Sequence, residues 1–202
     1  MPAALLAGLT LAACGGDDSS EDEEQITESI ELAATSGDPE ACTENQTQRF
    51  NDQTAAPAEG AEATRACERT AEDTPAEEIE VDNVEVDGDS ATAEAAVTGS
   101  FLGGQTLEIA LVKEGDQWKL DELTGFAEFD REAFVDSLVT GGEEIPPEAT
   151  ECLQQRIQPL SDEELQDLVL APDPEAEQAI FARCFEGAAG GQGGAGAQDG
   201  GE

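Results

Sequence analysis

IEVDNVEVDGDSATAEAAV, residues 79–97, is the stretch whose reading decides the fold. Ile79 and Val81, then Val84 and Val86, alternate with acids, and the phase slips at Asp82-Asn83. Alternation with period two marks a half-buried strand, and a slip in phase marks a β-bulge. Asp87-Gly88 is a tight-turn signal. Beyond it Ala91, Ala93, Ala95 and Val97 resume the alternation, so the two runs form a hairpin. Further on, Gly103-Gly104 marks another turn, Leu107, Ile109 and Leu111 alternate again, and Glu114-Gly115-Asp116 turns the chain into Trp118-Lys119-Leu120. The expectation is an antiparallel meander of about four strands.

Helices are expected on both sides of this meander. Ile26, Ile30 and Ala34 fall at i, i+4 and i+8, one face of a helix that Gly37 ends. Asp38-Pro39 opens a second helix carrying Cys42. Residues 51–60 read as a loop, with Pro57 and Gly60, before a short helix around 60–72 with Cys67. After residue 127 the pattern is helical again. Phe134 and Leu138 pair at i, i+4, and Gly141-Gly142 and Pro146-Pro147 break the run. A helix with Cys152, Leu153 and Ile157 follows. Ser161 and Glu164 are spaced as a capping box, flanked by a Leu160–Leu165 staple. Asp173-Pro174 opens a last helix with Ile180, Phe181 and Cys184. The fold class is therefore α+β: N-terminal helices packed on a curved antiparallel sheet, plus a C-terminal helical extension.

The expected division of the chain is 1–13 signal peptide, 14–24 acidic tether, 25–126 α+β domain, 127–186 helical extension and 187–202 tail. The tail is mostly Gly, Ala and Gln and has too little apolar surface to build a core. The tether crowds Asp17, Asp18, Glu21, Asp22, Glu23 and Glu24 into a solvated, self-repelling block.

Leu11-Ala12-Ala13-Cys14, after the apolar run from Ala3, resembles a bacterial lipobox. The resemblance implies cleavage before Cys14 and a lipid on that cysteine, hence an extracytoplasmic protein held at the cell membrane. The basic start of a secretory signal is missing, because Met1-Pro2 carries no Lys or Arg; a start codon further upstream is expected. Eleven residues are also too few for a membrane-spanning helix, which needs about 20. With Cys14 taken by lipid, Cys42, Cys67, Cys152 and Cys184 remain. An even number in an exported chain reads as disulfides. Of the three pairings, Cys42–Cys67 and Cys152–Cys184 are preferred, because each lies within one expected structural unit. A zinc site is disfavoured by the lack of Cys-x-x-Cys spacing and of any histidine.

The formal net charge is −40, from 48 acids against 8 basic residues. Such a field repels nucleic acid, which is excluded as a partner. Asn83-x-Glu85-x-Asp87-Gly88, with Glu94, approaches calcium-loop spacing, but the alternating Val84 and Val86 read as a strand entering a hairpin.

Gly37-Asp38, the strand pair around Asp87-Gly88-Asp89, and Gly115-Asp116-Gln117-Trp118-Lys119-Leu120 together resemble the nuclear-transport-factor-like (SnoaL-like, cystatin-like cone) superfamily over residues 24–126. The resemblance implies a curved sheet wrapped round a helix to make a pocket. The segment 127–186 looks like a cysteine-clipped helical appendage of exported actinobacterial proteins. Catalytic members of the superfamily use Asp or His bases with Tyr or Asp donors, and this chain has neither His nor Tyr. The expectation is a non-enzymatic lipoprotein with no cofactor, no metal and no catalytic residue. Its partners are the lipid membrane through Cys14 and an envelope protein or small apolar ligand, with Trp118, Phe101 and Phe126 as candidate pocket-lining residues. One alternative is an isomerase- or dehydratase-like enzyme with a carboxylate base. Another is an interaction module acting through the helical extension.

Overall fold

A computed structural model of the chain describes residues 18–72, 75–140, 146–182 and 184. Cys14, the signal segment, the Gly141-Gly142 break and the 187–202 tail lie outside the described residues. Four N-terminal helices, α1 (Asp18–Thr35), α2 (Ala41–Glu44), α3 (Gln48–Thr54) and α4 (Ala61–Thr70), precede the sheet. The strands are β1 (Glu78–Asp87), β2 (Ser90–Thr98), β3 (Thr106–Glu114) and β4 (Gln117–Glu128), and they pair antiparallel in chain order, as a meander. Helices α5 (Arg131–Thr140), α6 (Pro147–Ile157), α7 (Asp162–Leu170) and α8 (Pro174–Glu177) follow, and a π-helical turn spans Gln178–Ala182. The fold is α+β, with the C-terminal helices the sequence called for.

The sheet curls round α1. That helix packs chiefly on β1 and β4, the two outermost strands, which a flat sheet would hold apart. The residues make this possible. On β2 the inward positions are the small residues Ala91, Ala93 and Ala95, all buried. Larger chains flank them: Leu107, Ile109 and Leu111 on β3, and Trp118, Leu120 and Leu123 on β4. Ile26 and Ile30 of α1 fill the hollow and are fully buried. Irregular register supplies the bend. The β1–β2 ladder shifts between Asp82 and Glu85, where Asn83 takes φ 50°, at the expected bulge. The β3–β4 ladder shifts three times. The outer edge of β4 is covered by residues 45–47, through Thr47 N to Leu120 O and Leu120 N to Asn45 O, both 2.8 Å. The free edge of β1 carries Glu80, Asp82, Glu85 and Asp87, charges that discourage edge-to-edge pairing.

Three expectations need correction. The acidic block is not a tether throughout, since α1 begins at Asp18 and holds five of its six acids in its first turns. Acids suit a helix N-terminus, and Asp22 is fixed further by its contacts with Lys113 and Trp118. Residues 51–54 are helical rather than loop, because Thr47 caps α3 by accepting from Phe50 N at 3.2 Å. The boundary at 126/127 does not divide the core. β4 runs to Glu128, and Phe134, Leu153, Ile157, Leu165 and Cys184 belong to the same buried cluster as Ile26.

The C-terminal helices are fastened to the sheet by paired amide contacts. Gln105 is 1% exposed and bonds the Asp130 backbone twice, Nε2 to O at 3.0 Å and N to Oε1 at 2.9 Å. Asp130 in turn caps α5 through Ala133 N. Phe126 and Phe134 both pack on Phe129, at ring separations of 5.3 and 5.4 Å. The α7 capping box forms as its spacing foretold: Ser161 Oγ accepts from Glu164 N, and Glu164 Oε2 accepts from Ser161 N at 2.7 Å. Hydrogen bonds to that carboxylate from Ser161 N and, at 2.8 Å, from Ser161 Oγ hold the Glu164 carboxyl below its ordinary value.

Trp118 is the anchor of α1. Its ring is fully buried, its Nε1 donates to Asp22 Oδ1 at 2.9 Å, and its carbonyl accepts from Ser29 Oγ at 2.8 Å. Lys113 Nζ donates to the same Asp22 oxygen at 2.6 Å and lies over the indole. The Lys113 and Trp118 hydrogen bonds hold the Asp22 carboxyl below its ordinary value, and Asp22 raises that of Lys113. A depressed carboxylate contributes stability above its unfolded pKa, about 4, and loses it as pH falls through the lower folded value. Asp22→Asn should therefore lower the thermal midpoint at pH 7, and the gap from the parent should close as pH drops below about 4. Parallel melting curves from pH 7 to 2 measure this; a gap independent of pH would show that the Asp22 charge is not what seats α1.

Candidate functional site

The hollow that α1 does not fill is a cavity of about 500 Å³, within the roughly 300–1,000 Å³ typical of small-molecule sites. Its floor is the concave face of the sheet, Ile79, Val97, Leu107, Ile109, Leu120 and Leu123. Ile30 and Ala34 of α1 and Phe50 of α3 form one side. Ala66, Cys67 and Thr70 of α4 form another, and Leu168, Val169 and Pro172, on and after α7, close it from the C-terminal half. Phe101 and Leu102, on the β2–β3 loop, complete the rim. Gly99 gives that loop its shape, with φ 77° and no room for a Cβ against the Glu77 side chain.

Of the candidate lining residues, only Phe101 lies on the cavity, half-exposed at 48%. Trp118 is a core residue, drawn away from the cavity by its bond to Asp22. Phe126 belongs to the aromatic group that seats α5. The residues missed were those of α7 and the polar hinge of the site, Gln53. Its Nε2 donates to the carbonyls of Leu123 and Leu170, both at 2.9 Å, and its Oε1 accepts from Leu123 N at 2.8 Å. One amide thus ties α3 to β4 and to the end of α7. No local pattern marks this glutamine, because its partners lie 70 and 117 residues away.

Electrostatically the cavity is blank. Among the described residues, none of the Asp, Glu, Lys or Arg side chains lines it. Nor, among them, is any group of three or more Asp, Glu, Cys or His placed to hold a metal ion. At the bulge, the Asn83 amide donates to Glu94 at 2.8 Å, as suits a hairpin.

The cysteines pair as preferred from the sequence: Cys42–Cys67 joins α2 to α4, and Cys152–Cys184 joins α6 to the segment after the π-helical turn, with Cα separations of 6.0 and 5.5 Å. The first pair matters to the site. Helix α4 packs on α2 and α3 rather than on the sheet, and Ala63 is its one fully buried residue among those described. The disulfide is therefore a main restraint on one cavity wall. Asn51 reinforces the other end of the bond, donating to Cys42 O at 2.8 Å.

No family model matches the chain, and no curated protein matches it. Among solved structures, an NTF-2-like protein of unknown function from Silicibacter pomeroyi DSS-3 is similar at 16% identity and a TM-score of 0.36, over 51% of this chain and 92% of its own.

Replacing both Cys42 and Cys67 by Ser should cost about 3–4 kcal/mol of stability on the loop-entropy account. Near α4, amide exchange should rise more than it does in β3. Denaturant melts with hydrogen-exchange mass spectrometry would show this; uniform exchange across α4 and β3 would deny the bond its role in the wall.

Proposed function

We propose that this chain is a non-enzymatic extracytoplasmic lipoprotein of nuclear-transport-factor-like architecture. Cys14 anchors it, and its hollow takes up a small apolar ligand. The observation that carries the reading is the contrast between surface and cavity. A chain with 48 acids encloses a space that no charged side chain among the described residues touches. Apolar walls with a few polar groups are the ordinary composition of ligand sites. A carboxylate-base enzyme would need an Asp or Glu in the hollow, and the described lining supplies none.

The helices followed by a sheet curled round α1 support the architectural part of the reading. The two disulfides support an oxidising compartment, where such bonds persist. Among the described residues no helix is long and apolar enough to cross a membrane. Anchorage is assigned to lipid on Cys14 because Leu11-Ala12-Ala13-Cys14 resembles a lipobox.

Native mass spectrometry of the protein isolated from its own cells tests the binding role. The expected result is a non-covalent excess mass that organic solvent extracts. A protein that isolates empty, and takes up nothing from an apolar extract of those cells, would overturn it. For the anchor, a clickable fatty acid should label the parent and not Cys14→Ser; equal labelling would refute lipidation at that position.

A further inference from the structure

We infer that the cavity selects an uncharged molecule whose buried part carries no hydrogen-bond acceptor: a hydrocarbon skeleton, its one polar group held at the Ser100 end. This rests on the proposal above that the cavity is a ligand site, and it names the chemistry the site accepts.

The polar side chains of the wall are already committed. Gln53 gives both amide hydrogens to the carbonyls of Leu123 and Leu170, and its oxygen accepts from Leu123 N. Thr54 Oγ1 donates to Phe50 O at 2.9 Å, and Thr70 Oγ1 to Ala66 O at 3.1 Å. A ligand carbonyl or carboxylate placed among them would lose its water and gain no side-chain donor in return. Ser100 sits differently. Its oxygen accepts from Leu102 N at 3.1 Å, and it lies on the rim beside the half-exposed Phe101. A terminal polar atom at that end can keep contact with solvent.

Charge is excluded for two reasons. No cation among the described lining residues can pair with an anion, and no anion can pair with a cation. Burial of an unpaired ion in apolar surroundings is strongly unfavourable. Outside the cavity, the net charge of −40 works against the approach of an anion. A neutral skeleton meets neither obstacle.

The test uses two fluorescent probes that share one ring skeleton, N-phenyl-1-naphthylamine and 8-anilino-1-naphthalenesulfonate, which differ by a sulfonate. They are titrated into the full chain at 0.15 M salt, where long-range repulsion is screened beyond about 8 Å. The neutral probe should bind saturably, and the sulfonate about tenfold more weakly or worse. Dodecan-1-ol should displace the neutral probe and dodecanoate should not. Ala66→Leu and Ala34→Leu, which fill the cavity from α4 and from α1, should each weaken the neutral probe while the circular dichroism spectrum stays unchanged. Equal affinity for the two probes, or equal displacement by alcohol and carboxylate, would overturn the selectivity and leave the apolar-ligand reading standing. Neutral-probe binding that both filled variants retain would place the probe elsewhere and overturn the inference. No binding of either probe would overturn both readings.

Discussion

Self-repulsion is the constraint on which the rest of this structure depends. A net charge of −40 on 202 residues pushes every element away from its neighbours. The fold answers by placing scarce cations where elements meet. Lys113 joins β3 to α1, and Lys119 reaches from β4 to the carbonyl of Thr43 in α2. Arg49 joins α3 to Asp121 of β4. Arg131 binds Asp162 and the carbonyl of Leu160, tying α5 to the start of α7, and Arg156 reaches the carbonyl of Ala179 in the π-helical turn. Most of these pairs are part-exposed, where a single pair contributes about 0–1 kcal/mol. Their position matters more than their strength, since each replaces a repulsive junction with an attractive one.

The same constraint explains the division between surface and interior. Desolvating a carboxylate is costly without a partner, and partners are few. Acids therefore collect on outward strand positions and on α1, and the described lining of the hollow is uncharged, mostly Ala, Ile, Leu, Val and Phe. Where polar side chains enter the interior they are uncharged, among the described residues Ser29, Asn45, Gln46, Thr47, Asn51 and Gln105, and Gln105 and the half-buried Gln53 satisfy backbone groups without carrying charge. Gln53 and Gln105 link the sheet region to the C-terminal helices, which share its buried cluster.

Much of the fold was legible in the sequence because its signals are local. The Asp82-Asn83 slip, the Asp87-Gly88 turn, the Gly37 stop (φ 65°) and the Ser161–Glu164 box each depend on residues within a few positions. The cysteine pairs followed from proximity along the chain. What was illegible depends on distant partners. Asp22 reads as one acid among many until Lys113 and Trp118, 91 and 96 residues on, reach it. Helix α3 hid behind Pro57 and Gly60, although Thr47 was a sound cap. The cavity could not be read at all, because a space bounded by several elements has no residue of its own. Composition could nominate aromatic residues as lining, yet only the three-dimensional arrangement separates Phe101 on the rim from Trp118 in the core.

Both sulfur bridges join cysteines that are neighbours along the chain, 25 and 32 residues apart, and neither encloses or crosses the other. A chain made from its N-terminus presents Cys42 and Cys67 well before Cys152 emerges. The first bridge can close on its own helices before the sheet is complete, and the second finds only its own partner unpaired among these four. Emergence from the N-terminus therefore favours this pairing over the crossed and nested alternatives, which would both leave Cys42 and Cys67 waiting for Cys152 and Cys184.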